Sequence, residues 1–315
     1  MIDSLQMKYF IAVAEEKSFS AAAKRLFVSQ QTLSAHIALI EKEMGIKLFE
    51  RTRPLTITVA GECLLRGVRE LVFVQQQMKK EIQDLTDAKQ NIVRIGVSHA
   101  YARAILPLML LKLYAAFPQI NAQVFEIGYE QMKDALERQE VDFIITRPYL
   151  NWNGVNSVQI QKTDDILVYA PRSSLINYYG DRAESLQNDL RDNPSIHLLQ
   201  NCPFILPRTG TVRDDVNRYF RESKIEPYIR AETEALETAI YLCRVGLGIT
   251  LAPSILLSTY IPLLNNIEDE SFTVLKGKQE LGLSLCYLNR SYLTAEMKKL
   301  VSIAQEMNSE FSSGQ

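Results

Sequence analysis

The sequence predicts a multi-domain chain: an all-α N-terminal domain with a long linker helix behind it, followed by two α/β doubly wound lobes. Three observations predict it. Short helical patterns opened by serines fill residues 3–45, a seven-residue apolar repeat runs through 58–89, and strand and helix patterns alternate in two series from residue 92. At 315 residues the chain is long for one core and ample for two or three of roughly 100–200 residues each. The expected boundaries are 1–58, 59–90 and 91–315, the last divided into lobe I (about 91–166 with 276–315) and lobe II (about 167–275).

Hydrophobic types make up 47% and charged types 23%, the balance of an ordinary folded protein and not of a disordered one. The net charge of −2 argues against a surface that grips any polyanion. Residues 1–90 nevertheless hold 13 Lys+Arg against 11 Asp+Glu, while the rest hold 22 against 26. The uncharged stretch 246–267 is broken by Pro253, Pro262 and Asn265-Asn266, so short buried elements and no membrane span are expected. Met1-Ile2-Asp3 lacks a basic stretch followed by an apolar block, so no secretory signal is expected. Cys63, Cys202, Cys243 and Cys286 lie far apart without a C-x-x-C pair. That spacing suits buried thiols in a reducing cytoplasm, with no metal or cofactor called for.

In the N-terminal region Leu5, Tyr9, Phe10 and Val13 recur at helical spacing, and Ser20-Ala21-Ala22-Ala23 supplies small residues for close packing. Ser18 and Ser29 are placed to cap a second and a third helix, and Gly45 to stop the third after Met44. Leu33, Ile37 and Ile40 form that helix's buried stripe. Beyond it, Leu64, Val68, Leu71, Gln75, Met78, Ile82 and Leu85 follow steps of four and three, the seam of a coiled coil. A lone amphipathic helix lying on a globular core is the alternative; three sustained heptads favour self-association, with polar Gln75 setting register. Gly61 reads as a turn signal at the start of this stretch.

From Ile92 the text is strand, helix, strand. Strands are expected at 92–97, 123–127, 141–146, 166–170, 204–206, 228–231, 249–251 and 283–288. Helices are expected after residue 98, over 129–138, after Gly210, from Glu234 and over 294–307. Repeated strand–helix–strand text implies parallel sheets covered on both faces, in two similar lobes.

The exposed start of the third helix reads Ser29-Gln30-Gln31-Thr32 with Ser34 and His36, side chains able to reach base edges and phosphates once a neighbouring helix braces them. Leu48-Phe49-Glu50-Arg51-Thr52-Arg53-Pro54 and the β-favouring Thr56-Ile57-Thr58 then form a short basic wing, with Arg51 and Arg53 facing phosphate or the minor groove. On periodicity alone a solvated helical bundle remains open.

The stretch Tyr9-Phe10-Ile11-Ala12-Val13-Ala14-Glu15-Glu16, Ser18-Phe19-Ser20, Ala22-Ala23, Leu26, Val28-Ser29-Gln30, Leu33-Ser34, Ile37, Ile40-Glu41, Gly45 and Leu48-Phe49-Glu50-Arg51 resembles the N-terminal signature of LysR-type transcriptional regulators. Ala60-Gly61-Glu62 resembles the start of that family's linker helix, and Val245-Gly246-Leu247-Gly248-Ile249 with Pro253 its late glycine-rich signature. The resemblance implies a winged helix-turn-helix domain and a periplasmic-binding-protein-like effector domain. It also implies homodimers or homotetramers on double-stranded promoter DNA, contact with RNA polymerase, and a small-molecule effector between the lobes. Two positions depart from the pattern: Gln31 stands where the family usually has proline, and Ala35 where it often has arginine. Residues 173–193 exceed the family's usual connection and read as a surface insertion.

Ligands of open α/β sheets lie beyond the carboxyl ends of strands, where helices begin. Ser98, His99, Ala100 and Tyr101 follow the first strand, Thr146 and Arg147 end another, and Arg208, Thr209, Gly210 and Thr211 lie between a strand and a helix of the second series. The resemblance places the effector cleft at the same positions. Hydroxyls, helix starts and two arginines favour an anionic effector; simple N-capping by Ser98 and Thr209 is the plainer alternative. Cys202 and Cys243 read as buried hydrophobes, since no cysteine falls in 209–213 where a sensing thiol is expected, and His197 as a surface residue. An α/β enzyme is the rival reading, but no G-x-S-x-G, Walker loop, G-x-G-x-x-G or metal-spaced His/Glu cluster occurs. A ligand-binding module whose N-terminal region only dimerises is the other.

Overall fold

The computed structural model describes residues 2–52, 54–85, 92–147, 152–162, 165–260, 272–275 and 282–313. The chain divides into two compact units, 1–89 and 90–315.

In the first unit α1 (Ser4–Glu16) opens with a capping box: Asp3 accepts from the Gln6 amide at 2.7 Å, and the Gln6 side chain accepts from the Asp3 amide at 3.0 Å. That exchange draws Gln6 inward and leaves Leu5 exposed, so the helix buries Tyr9, Phe10 and Val13 but not Leu5. Ser18 Oγ accepts from Ala21 N to start α2 (Phe19–Arg25), and Ser29 Oγ accepts from Thr32 N to start α3 (Gln30–Met44). Gly45, at φ 68°, ends α3 in the left-handed conformation that glycine adopts without Cβ penalty. Leu33, Ile37 and Ile40 of α3 pack with Phe10, Ala22, Leu48 and Phe49 in one core.

A hairpin of β1 (Phe49–Glu50) and β2 (Thr56–Ile57) follows, and α4 (Val59–Leu85) leaves it. Gly61 lies inside α4, not at a turn. A Cβ there would sit 2.3 Å from the Leu48 carbonyl oxygen, so glycine is what allows the helix to pass against the hairpin's entry.

In the second unit a five-stranded sheet runs β4 (Asn121–Glu126), β3 (Ile92–Val97), β5 (Phe143–Thr146), β12 (Leu283–Leu288), β6 (Val155–Gln161). Strands β3, β4 and β5 are parallel, whereas β12 is antiparallel to both its neighbours. The second lobe has the antiparallel set β10 (Thr250–Pro253), β7 (Ile166–Tyr169), β11 (Phe272–Leu275), and the parallel pair β8 (Phe204–Pro207) and β9 (Ile229–Thr233). The expected pair of α/β lobes is present, but neither is wholly parallel, because chain that crosses between lobes must re-enter each sheet from the opposite end. The edge strand β6 escaped the sequence reading: only Ile160 and Gln161 of its seven residues are buried, so no apolar run marks it.

Helices α5 (His99–Ala116), α6 (Tyr129–Glu137) and α12 (Ala295–Ser313) belong to the first lobe. The second holds α7 (Arg172–Tyr179), α8 (Ala183–Asp192), α9 (Thr211–Glu222), α10 (Leu236–Arg244) and α11 (Ser254–Tyr260). Residues 173–193 are therefore no surface insertion. Leu175, Leu186 and Leu190 are core residues of α7 and α8. Four side chains of α7 also donate to the end of α10 and the turn that follows it: Ser173 to Arg244 O, Ser174 to Cys243 O, Asn177 to Gly246 O and Tyr178 to Leu247 O. The glycine-rich text at 246–248 is explained by close approaches, of Asn177 to Gly246 and of Pro203 to Gly248. Gly246 has φ 85°, and a Cβ on Gly248 would lie 2.4 Å from Pro203 O.

Cys202, Cys243 and Cys286 are buried and Cys63 is exposed. Burial pushes the Cys202 thiol up to about 12, which keeps it protonated and unreactive.

Candidate DNA face and effector cavity

The first unit presents α3 beside the hairpin. A hollow of about 480 Å³ is lined by Lys17, Ser18, Ser20, Gln30, Ser34, Arg51 and Thr52 among others. Gln30, Ser34 and Arg51, predicted from sequence, are thus brought together; Lys17, Ser18, Ser20 and Thr52 were missed, because nothing local marks them. Gln31 is exposed on the next line of the helix. Ser29 and Thr32 are occupied with each other, their hydroxyls 2.8 Å apart while Ser29 caps the Thr32 amide, so they shape the helix start. His36 is half-buried with its ring edge-on to Tyr9 at 4.9 Å between centroids. It packs against α1. Arg53 lies outside the described residues.

Glu41 has a structural role that no local pattern marks. Its side chain is buried near the end of α3 and accepts from Leu48 N at 2.8 Å, Phe49 N at 3.4 Å and Lys47 Nζ at 3.0 Å. Burial pushes the carboxyl's pKa up, but those donors outweigh burial and hold it below its usual value. One carboxylate thereby ties α3 to the strand that leads into Arg51.

The proposed seam of α4 divides. Val68 is 1% exposed and belongs to the unit's own core, with Leu64 packed against that core, so neither is free to meet a partner as expected. Leu71, Gln75, Met78 and Ile82 are exposed and keep the four-three-four spacing. The Leu85 side chain lies outside the described residues. The seam departs from expectation because the start of α4 is a lid on the helical core.

In the second unit a cavity of about 330 Å³ opens where the two lobes face each other. Ser98, His99, Ala100, Thr209, Gly210 and Thr211 line it, as the sequence predicted. Tyr101, Thr146, Arg147 and Arg208 do not. Tyr101 and Thr146 are buried; Arg147 is paired with Asp215 and donates to Tyr101 Oη at 3.0 Å; Arg208 is paired with Glu234. Both arginines expected to meet an anion are thus already engaged by carboxylates. Burial pushes the Asp215 carboxyl up to about 6, with Arg147 opposing that rise.

The wall itself holds Glu126, Glu234 and Glu237, each against a basic side chain: His99, Arg208 and Arg103 respectively. Arg208 and Arg103 neutralise Glu234 and Glu237, whereas Glu126 beside His99 is balanced only when the imidazole is protonated. The remaining electrostatic feature is backbone. The cavity is lined by the starts of α5, α6, α9 and α10, and none of these four has a side-chain cap. Ser98 does not cap α5; its hydroxyl is buried without a hydrogen-bond partner. Each helix start carries the equivalent of about half a positive charge and several unpaired N–H groups. The signal in sequence was the absence of capping side chains at Gly128, Gly210 and Ala235.

No helix among the described residues is long and apolar enough to cross a membrane. Residues 5–62 match the family described as bacterial regulatory helix-turn-helix protein, lysR family, and residues 86–308 match the LysR substrate binding domain. The HTH-type transcriptional regulator ClcR of Pseudomonas putida is 27% identical over 302 residues, covering 95% of this chain and 96% of its own. Among solved structures, a full-length OxyR variant from Pseudomonas aeruginosa shares the fold with a TM-score of 0.65 at 18% identity, over 98% of this chain and 97% of that one. Full-length CbnR complexed with its target DNA does so at 0.60 and 20% identity, over 97% of this chain and 99% of that one.

Proposed function

The chain belongs to the LysR family of bacterial helix-turn-helix transcriptional regulators, and we propose that it binds promoter DNA as a homo-oligomer and answers to a small anion held in the cavity of residues 90–315. It acts on transcription and not as an enzyme, in the cytoplasm, with RNA polymerase as its downstream partner. The observation that carries the reading is the exposed, uncharged polar start of α3 opening on a hollow that also holds Lys17 and Arg51. Gln30, Gln31 and Ser34 reach bases, while Arg51, with Arg53, reaches phosphates; Ser29 and Thr32 hold the helix start in shape, and His36 braces α3 against α1. Because one recognition helix covers few base pairs, two copies are needed, paired along Leu71, Gln75, Met78 and Ile82 in a homodimer that can double to a homotetramer.

A gel shift on DNA upstream of the chain's own gene tests this. Gln30→Ala should cost about 1–3 kcal/mol and relax specificity at one position. Arg51→Ala should weaken all sequences alike and lower the salt slope by about one. Both variants binding like the parent would overturn the assignment.

For the effector, the four uncapped helix starts support a ligand rich in acceptor oxygens, and the volume suits a body of modest size. Ligand selects a state only if it binds the two states unequally. Hexanoate and hexylamine are suitable probes of one shape and opposite charge. At a hundred times its dissociation constant, hexanoate adds about 2.7 kcal/mol and raises the melting temperature accordingly. A rise with hexylamine alone would remove the anion from the proposal.

A further inference from the structure

Resting on the DNA-binding reading, the exposed face of α3 also specifies which bases it selects. Over the two turns after the cap, solvent meets Gln30, Gln31, Thr32, Ala35 and Ala38, with half-buried Ser34 lining the hollow beside Arg51 and half-exposed Leu39 following. No arginine or lysine occurs from Gln30 to Glu41. Those are the side chains whose forked or point charges match guanine O6 and N7 in the major groove. His36, the one side chain there able to gain positive charge, is held against Tyr9, and the Thr32 hydroxyl lies against Ser29. Beyond the Ser34 hydroxyl in the hollow, what the helix offers a base edge is therefore carboxamide and methyl. A carboxamide exchanges two hydrogen bonds with adenine N6 and N7, and an apolar methyl fits the 5-methyl of thymine.

Gln31 and Ala35 stand one turn apart, about 6 Å along the helix. Base pairs repeat about every 3.4 Å, so the two side chains meet positions no more than about two steps apart. We propose that Gln31 takes adenine and Ala35 the thymine methyl, so that each half-site presents A·T pairs, and no guanine, to this face.

Selection of binding sites from a random duplex pool with the full-length chain gives the sequence on which this is tested. Each thymine of the selected duplex is then replaced by deoxyuridine, which removes one methyl group. At one thymine in each half-site the parent should lose about fourfold in affinity, the worth of one methyl carbon. Ala35→Gly should bind the thymine duplex as weakly as the parent binds the uracil one, and lose nothing more on the exchange. Replacing the adenines within two steps of that thymine by 7-deazaadenine, one at a time, should at one of them cost the parent about fivefold or more and Gln31→Ala nothing. Ala35→Arg, which keeps helix propensity, should redirect selection to guanine at the same position.

Selection of guanine by the parent at positions altered by Gln31→Ala or Ala35→Arg would overturn the assignment. So would indifference to every uracil exchange, and either result would leave DNA binding intact. Failure to bind any duplex at low salt would remove the regulator reading together with this one.

Discussion

Gly61→Ala should destabilise the first unit by about 2 kcal/mol, while Gly67→Ala on the same helix should stabilise it by about 0.5–1 kcal/mol. Both substitutions relieve the same backbone entropy, and alanine is the better helix former at either site. They differ in what the new Cβ meets. At Gly67 nothing lies within 4 Å; at Gly61 the Leu48 carbonyl oxygen lies 2.3 Å away and Ile57 Cγ1 2.6 Å away. A flexible side chain would yield, but a backbone oxygen cannot move without moving the hairpin. Opposite shifts in urea midpoint, read by circular dichroism on the full-length chain, check the pair. Equal shifts of one sign would mean that α4 does not press on the hairpin. Because Leu48 precedes the strand leading to Arg51, the Gly61 variant should also bind DNA more weakly than its stability loss explains.

Glu41→Ala should cost about 2–4 kcal/mol, since it leaves the buried Leu48 and Phe49 amides without their acceptor. Glu41→Gln keeps one acceptor oxygen and should lose about half as much. The pH dependence separates the variants further. The folded carboxyl is held below its usual value, so its contribution is complete above the unfolded value and is lost as pH falls through the folded one. Between about pH 7 and pH 3 the parent should therefore lose stability more steeply than Glu41→Gln. Parallel curves would mean that the carboxylate is not the tie between α3 and the hairpin.

Much of the first unit was legible. Ser18, Ser29 and Gly45 act within four residues of themselves, so their capping roles appear in local text and recur in the structure. The heptad text was legible as an apolar stripe but not as to who covers it: Val68 and Ile82 have the same spacing, yet one is buried in the chain and the other is 59% exposed. Residues 173–193 misled because charged and tyrosine-rich text surrounds the few leucines that reach the core. Glu41 gave no signal, since the amides it accepts from lie seven and eight residues on, beyond the helix stop.

Caps, helical faces and the uncharged edge of α3 were determined by the sequence itself, because each arises from hydrogen bonds and periodicities spanning a turn or two. Which charges remain available was decided only by tertiary structure. Arg147 meets Asp215 across 68 residues and Tyr101 across 46, and Arg208 meets Glu234 from the opposite side of a helix and a strand. A charge looks free in a sequence until folding brings its counter-charge to it, and the cavity is lined by uncapped helix starts, not by Arg147 or Arg208.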